Sequence, residues 1–224
     1  MYYSERGYPR YLTELAANLE QPNLPALVRR FLYAQLNPDG DPDCNEVSLD
    51  ECPYYNGRIF VFHSAIARFY APSDLSGAGG MYRERIRSLP AWQGEYARRD
   101  TVFIETDPNL PGMSGMCVGR VLLFFSFVHE GQYYPCALVH WFVPVGSATD
   151  DETGFWVVKP EFTYNGQRHL AVIHLDCIAR GAHLTGVYGS VFLPDDFHFS
   201  FSLDVFHSYY VNTYADHHMH EFLT

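Results

Sequence analysis

The stretch RVLLFFSFVH EGQ YYPCALVHWFV, residues 120–143, decides the fold class. Its two flanking runs, residues 120–129 and 133–143, consist almost entirely of β-branched, aromatic and aliphatic residues, which favour strands. The three residues between them, Glu130-Gly131-Gln132, have the length and the glycine of a hairpin connection. Because apolar residues follow one another almost without interruption, both strands should be covered on both faces. The sequence therefore predicts an antiparallel hairpin at the centre of a sheet, with Trp141 buried in it.

Other short segments around this hairpin have the same composition. They are residues 58–62, 101–106, 155–158 and 171–175, and Gly, Pro, Asn or Asp residues separate them. Several short strands at close spacing are typical of a small barrel or a curled sheet.

Helical periodicity appears at both ends of the chain. Residues 9–20 carry apolar side chains at i, i+3, i+4 and i+7, and residues 24–36 repeat the pattern. Ser202 is a suitable cap for a third helix, whose aromatic residues up to Tyr214 would form one broad face. We therefore expect a β-dominated α+β fold: a small antiparallel barrel or curled sheet with N-terminal helices and a C-terminal helix.

Residues 37–50 (NPDGDPDCNEVSLD) separate the first two helices from the strands. This stretch gathers Pro, Gly, Asn and Asp, which is typical of a loop or linker. We therefore expect a helical N-terminal segment with an acidic linker over residues 1–50, and a β-rich, barrel-like domain with a C-terminal helix over residues 51–224.

The composition places the chain among globular proteins. Of its 224 residues, 47% are hydrophobic and 18% are charged, which excludes collagen and wholesale disorder. No apolar run reaches the length of a spanning helix, and the polar start at residues 1–10 lacks the core of a signal peptide, so we expect an intracellular protein without a membrane partner. The cysteines are odd in number and form no CxxC pair, so we expect them to be reduced: Cys44, Cys52, Cys117, Cys136 and Cys177.

The charge is negative overall and uneven along the chain. Fifteen basic residues face 26 acidic ones, for a net charge of -11, so the average surface should repel phosphate. Residues 61–100 nevertheless hold six Arg against four acids, whereas residues 161–224 hold two Arg against seven acids. An anion site is therefore expected in the first of these stretches.

Within that stretch, residues 77–87 (GAGGMYRERIR) carry Arg at alternate positions. If this segment is extended, Arg83, Arg85 and Arg87 share one face, and Arg98 and Arg99 follow in the same basic region. Such a row either pairs with the chain's own carboxylates or binds an anionic partner. The glycines do not form GxxxxGK[ST], which argues against a nucleotide loop.

Aromatic residues make up 17% of the chain, and three of them are candidates for contacting a ligand. Trp92, Tyr134 and Trp156 are candidate members of a cage like those that bind methylated ammonium groups. The alternative is core packing, which is favoured for Trp156 because it lies within an apolar strand.

The acidic and histidine residues do not indicate a catalytic or metal centre. Asp100, Glu105, Asp107 and Asp176 flank strands and invite a metal-nuclease interpretation, but their neighbours are typical of turns. His217, His218 and His220 lie close to the end of the sequence without HxxxH spacing, which favours helix-end packing or disorder. We therefore expect no catalytic residue, no metal and no cofactor.

Seven segments taken in order resemble one protein family. The C-terminal region of the Plavaka-type transposases of mushroom-forming fungi, a branch of the CACTA-like DNA transposons, is similar to this chain from about residue 24 to residue 222. The segments are FYAPSDLSGAGG (69–80), MYRERIR (81–87), RVLLFFSF (120–127), YPCALVHWF (134–142), DDETGFWVVKP (150–160), VIHLDCIARGAHLTGVYG (172–189) and SLDVFHSYYVNTYADHH (202–218).

The resemblance implies that the nuclease core and any zinc finger lie upstream of such a region, so no catalytic residue is carried over. It also implies a nuclear location and an isolated C-terminal module, either a truncated relic or a short separate reading frame. The order of a hairpin, an FWVV strand and a VIHLD strand is similar to that of bromo-adjacent homology domains as well.

Three functional interpretations follow. The first is a non-catalytic accessory module that binds a protein partner, or a second copy of itself, through an Arg-rich face. The second is a module that binds DNA or chromatin, against which the net charge of -11 weighs. The third is a fragment of a metal-dependent nuclease.

Overall fold

The computed structural model describes residues 4–38, 44–72, 77–189, 192–193 and 195–223. Its helices are α1 (Leu12–Asn18), α2 (Leu24–Leu36), α3 (Ser202–Val205) and α4 (Met219–Leu223). Its strands are β1 (Ile59–Phe62), β2 (Ser64–Tyr70), β3 (Met81–Trp92), β4 (Tyr96–Arg99), β5 (Thr101–Glu105), β6 (Met116–His129), β7 (Gln132–Pro144), β8 (Val157–Pro160), β9 (Leu170–His174), β10 (Ile178–Ala182), β11 (Leu184–Gly186) and β12 (Tyr209–Val211).

The chain forms two compact units that share the long strands β6 and β7. Unit 1 comprises Met1–His63, Leu123–Val139 and Leu170–Leu175, and unit 2 comprises Ser64–Leu122, His140–His169 and Asp176–Thr224. The expected division into residues 1–50 and 51–224 stays a prediction, because unit 1 also takes in residues 51–63 and two later segments. Residues 39–43 of the expected linker lie outside the described residues.

Unit 1 consists of α1 and α2 with a group of paired strands. β1 pairs antiparallel with β6, β6 neighbours β7, and β9 pairs with β7. α2 packs against β9, and its buried Phe31 makes edge-to-face ring contacts with Phe127 and Tyr134. The second predicted helix has the expected bounds. The first predicted helix begins only at Leu12. The residues before it pair with the start of β1 instead, because Tyr11 forms a β-bridge with Arg58 and the Arg10 carbonyl accepts a hydrogen bond from the Ile59 amide.

The predicted hairpin is confirmed, with a tighter turn than expected. Glu130 and Gly131 alone connect β6 to β7, and both have positive φ, 52° and 82°. This is the pattern of a type I′ turn, whose twist matches that of the two strands. Gln132 therefore belongs to β7, and Trp141 is half-buried.

The main sheet of unit 2 curls until its two edges meet. Its strand order is β10-β5-β6-β7-β8-β12-β11, and only His183 separates β10 from β11 in the chain. Seven strands in a flat sheet would place the edge strands roughly 29 Å apart at the usual spacing, whereas two peptide links span about 7 Å. The sheet is therefore nearly closed and barrel-like, as expected for the fold class, around buried residues such as Phe103, Phe142 and Val158.

A three-stranded antiparallel sheet, β2-β3-β4, also belongs to unit 2. Ile86 and Ser88 are buried on one face of β3. Glu84 is on the same face and accepts a hydrogen bond from the Gly181 amide at 2.9 Å, which ties β3 to β10.

The helix predicted from Ser202 to Tyr214 is wrong beyond its first turn. α3 ends at Val205, and Phe206 is already extended. Tyr209, Val211 and Thr213 are buried at alternate positions because β12 fills the gap between β8 and β11. The burial of this segment therefore repeats every two residues, as in a strand, and does not follow the helical spacing that predicted the helix. The C-terminal helix of the expected fold class is α4.

The C-terminal helix is tied to β10 by a buried ion pair. Arg180, 1% exposed, donates hydrogen bonds to Asp216, and its guanidinium lies 4.4 Å from the centre of the Phe69 ring. Asp216 also accepts from the amides of His218 and Met219, where α4 begins. The histidine-containing tail thus packs as a helix end. No helix among the described residues has both the length and the apolar character of a membrane span.

Replacing Gly131 by Ala should destabilise the hairpin. A residue with a Cβ pays about 1–2 kcal/mol in the left-handed conformation, so the free energy of unfolding measured in urea should fall by about that amount. Gly7→Ala is the control, because Gly7 is exposed, lies outside the left-handed region and has space for a Cβ, with no atom within 4 Å. An equal effect of the two substitutions would contradict the assigned turn.

Candidate anion-binding site

The arginines predicted on β3 share one face of that strand. Arg83 and Arg85 are exposed and Arg87 is half-buried, while the residues between them, Glu84 and Ile86, turn to the opposite face. This is the alternation that an extended strand imposes.

The neighbouring strand adds a further arginine to this face. Arg68 on β2 lies directly opposite Arg83, and Ser64 lies opposite Arg87. Arg85 donates from Nη1 to the Ser64 hydroxyl at 3.3 Å. The sequence pattern does not reveal Arg68, because only the register of β2 against β3 places it there. We call Arg68, Arg83, Arg85 and Arg87 the arginine face.

The arginine face has no carboxylate partner among the described residues. The arginines of unit 2 that form ion pairs with described carboxylates are Arg98, Arg120, Arg168 and Arg180 instead. Arg87 bonds through Nη1 to the Arg85 carbonyl at 3.4 Å, an interaction that leaves its charge uncompensated. In the part of the chain that the structure describes, the interpretation in which the row pairs with internal acids therefore does not hold for these side chains.

Trp92 lies beside the arginine face and between two cations. Its ring centre is 5.3 Å from the Arg87 guanidinium and 4.7 Å from that of Arg98. Arg98 also pairs with Asp100, with 2.8 Å between Nε and Oδ1, and Asp100 Oδ2 accepts from the Arg87 amide at 2.8 Å. Asp100 thus anchors the β3-β4 region.

The five arginines predicted to bind line one cavity of about 610 Å³. They are Arg83, Arg85, Arg87, Arg98 and Arg99. The acids in the same wall are Glu84, Asp100 and Asp216, and each already bonds to a protein group: the Gly181 amide, Arg98 or Arg180. The cavity wall therefore carries excess positive charge in a protein that is acidic overall.

The other two aromatic candidates do not lie with Trp92. Tyr134 is 8% exposed in unit 1, and its ring contacts Phe31 and Phe127. Trp156 is partly buried and packs against the core of unit 2. Both are core residues, so an aromatic cage built from the three predicted residues is not formed.

The described residues contain no group of three or more His, Cys, Asp and Glu side chains placed to hold a metal ion. Asp107 caps a turn, where its Oδ1 accepts from the Asn109 amide at 2.9 Å. The five cysteines are free thiols, and burial raises the pKa of Cys136.

A second set of charged side chains surrounds Asp204. This carboxylate accepts two bonds from Arg120 Nη1, at 2.9 and 2.8 Å, and one from Arg168 Nη2 at 3.4 Å. His140 lies close to this set: burial, followed by the charges of Arg168, Arg120 and Arg99, lowers its pKa to about 4. The imidazole is therefore neutral at pH 7, and the arginines dominate the local charge.

The stability of the protein should consequently fall as the pH drops from 6.5 towards 4. Over that range the unfolded chain protonates His140 with a pKa near 6.5, whereas the folded protein does not, so protons favour unfolding. Urea unfolding of His140→Gln should show a smaller loss of free energy between pH 7 and pH 4.5 than the parent protein. His207→Gln, at an exposed position, is the control; equal pH slopes for the parent and His140→Gln would refute the assignment.

The chain was compared with protein-family models, with curated proteins and with solved structures. None of the three comparisons gives a match.

Proposed function

We propose that this chain is a non-catalytic binding module that docks an acidic protein segment on the arginine face. The observation that carries the proposal is the absence of a carboxylate partner for Arg68, Arg83, Arg85 and Arg87 among the described residues, in a chain with 26 acids. A face that remains basic despite this excess of acids is suited to an anionic partner.

The register of β2 against β3 strengthens this argument. Arg68 and Arg83 are directly opposite each other, and like charges in that position destabilise a sheet because their Cβ atoms are only about 5 Å apart. The arginine face therefore carries an electrostatic cost in the free protein. An anionic partner removes that cost, so part of the binding free energy comes from relieved repulsion.

The spacing of the arginines favours an extended partner. Alternate residues of a strand are about 6.6–6.8 Å apart, so Asp or Glu at alternate positions of an extended segment matches Arg83, Arg85 and Arg87 one for one. This chain contains such a sequence pattern at Asp39, Asp41 and Asp43. A second copy of the chain is thus one source of the acidic segment, and an unrelated protein is the other.

A protein partner is favoured over nucleic acid by the total charge. At -11, the remaining surface repels a polyanion that extends beyond the arginine face, whereas a short acidic segment covers that face alone. The assignment to the C-terminal region of Plavaka-type transposases is part of this proposal and depends on the sequence motifs. It would make the partner a nuclear protein.

Replacing Arg83 and Arg85 by Gln should abolish binding of a labelled 12-residue peptide with Asp at alternate positions, measured by fluorescence anisotropy. Each charge-assisted hydrogen bond contributes about 1.5–3 kcal/mol, so the loss of two should lower the affinity by about a hundredfold or more. The melting temperature should change by only a few degrees, because both side chains are exposed.

The matched control is Arg6→Gln with Arg10→Gln, which changes the net charge equally at two other exposed positions and should leave binding intact. Equal losses in the two double variants, or unfolding of the first, would overturn the docking proposal. A peptide of residues 37–50 of this chain distinguishes a second copy from another protein as the source. Tighter binding of duplex DNA than of the peptide at the same salt concentration would favour the DNA interpretation instead.

The proposal also predicts no nuclease activity. Incubation with supercoiled plasmid and Mg²⁺ or Mn²⁺ should leave the plasmid intact, because nicking requires carboxylates that converge on a metal. Metal-dependent nicking that is lost in Asp107→Ala or Asp176→Ala would contradict it.

A further inference from the structure

A second cavity in unit 2, of about 320 Å³, joins an aromatic opening to a cationic floor. Trp92, Tyr96 and Phe199 line its opening and are 37%, 43% and 69% exposed. Arg99 and Arg120 line it as well, and the Arg120 side chain is only 13% exposed. The volume is at the lower end of the range for small-molecule sites and too small for a macromolecule.

Arg120, the buried arginine of the cavity lining, has more donors than acceptors around it, and Arg168, which does not line the cavity, competes with it for one carboxylate. Arg120 and Arg168 share the single carboxylate of Asp204, to which Arg120 gives both bonds of its Nη1 group. Arg120 Nε and Arg168 Nη1 are buried and bond to no acceptor among the described residues. Buried guanidinium N–H groups without acceptors are costly, which makes this part of the protein receptive to an oxyanion.

The local charge suits a phosphate dianion. Three arginines, Arg98, Arg99 and Arg120, line the described cavity wall against one acid, Glu95. The neighbouring imidazole of His140 is neutral at pH 7 because its pKa is low. The acid in the cavity wall, Glu95, is exposed at the opening and far less desolvated than Arg120.

The opening is built from rings that contact one another. Tyr96 makes an edge-to-face contact with Phe199 at 5.9 Å and a tilted contact with His198 at 4.5 Å between ring centres. Trp92, on the other side of the β3-β4 turn, completes an aromatic wall. Such walls bind a planar ring by stacking and leave the charged end of a ligand to the floor.

We propose that this cavity binds a small phosphate monoester that carries an aromatic ring. The phosphate dianion is held by Arg120, since a planar guanidinium group matches the geometry of phosphate oxygens. The ring lies against Tyr96 and Phe199. This site is separate from the arginine face, because neither Arg83 nor Arg85 lines it.

Isothermal titration calorimetry with phenyl phosphate and with inorganic phosphate tests the site in the full chain. Phenyl phosphate should bind at least fivefold more tightly than inorganic phosphate, because only the ester reaches both the floor and the rings. Arg120→Gln should lower the affinity for each of the two ligands by about tenfold, which corresponds to the loss of one charge-assisted contact.

Arg120 also pairs with Asp204, so Phe199→Ala provides a second test at an exposed position that the fold does not need. Phe199→Ala should lower the affinity for phenyl phosphate to that for inorganic phosphate, and it should leave the affinity for inorganic phosphate unchanged. The control is Phe192→Ala, at a position that is 96% exposed and outside the cavity, which should change neither affinity. An unchanged preference in Phe199→Ala, or no heat with millimolar phenyl phosphate, would overturn the proposal.

The double variant Arg83→Gln with Arg85→Gln separates this site from the arginine face. It should bind phenyl phosphate as the parent protein does while losing the acidic peptide. Loss of both ligands in that variant would contradict an independent cavity site.

Discussion

The arrangement of unit 2 depends on one covalent constraint: a single residue, His183, connects the strands at the two edges of its main sheet. The sheet must curl until β10 and β11 are adjacent, and the interactions at this closure are specific. Thr101 donates its hydroxyl proton to the Ala182 carbonyl at 2.7 Å, and the Gly181 amide donates to Glu84. A Cβ at position 181 would lie 2.5 Å from a Glu84 carboxylate oxygen, so the Glu84 side chain would have to shift away from the Gly181 amide that it binds.

The closure explains how an acidic chain comes to have a basic face. Four carboxylates near the arginines of unit 2 are engaged by interactions that hold the fold together. Glu84 bonds to β10, Asp100 to Arg98 and the Arg87 amide, Asp204 to Arg120 and Arg168, and Asp216 to Arg180 and the start of α4. None of these acids is then placed to neutralise the outward side chains of β2 and β3. The total charge of -11 is therefore a poor guide to local potential, which depends on which acids already have partners.

Local patterns were predictable from the sequence, and long-range pairings were not. A single sequence shows patterns among residues that are close along the chain. Such local patterns predicted the hairpin of β6 and β7, the helix α2 and the alternation of Arg83, Arg85 and Arg87. The strand β12 was not predicted, because Tyr209, Tyr210 and Val211 also fit one face of a helix. Only the pairing with β8 and β11 makes this segment a strand. Arg68 was missed for a similar reason: its place beside Arg83 is a matter of strand register, which is a long-range property. The cluster of Arg120, Arg168 and Asp204 joins residues up to 84 positions apart, and no spacing rule brings such residues together.

The two proposed sites are close enough to influence each other. Arg98 and Arg99 line both cavities, and Trp92 lies against Arg98 and Arg87 while forming part of the aromatic opening. The positive potential around Arg98 is lowered by an acidic segment on the arginine face and also by a phosphate in the smaller cavity. Each ligand therefore lowers the affinity for the other. Because a coupling free energy between two binding sites is reciprocal, a ligand that weakens docking of the partner must itself be weakened to the same degree by the partner. The chain would then release its acidic partner when the phosphate ester is abundant, with the two shared arginines as the physical link.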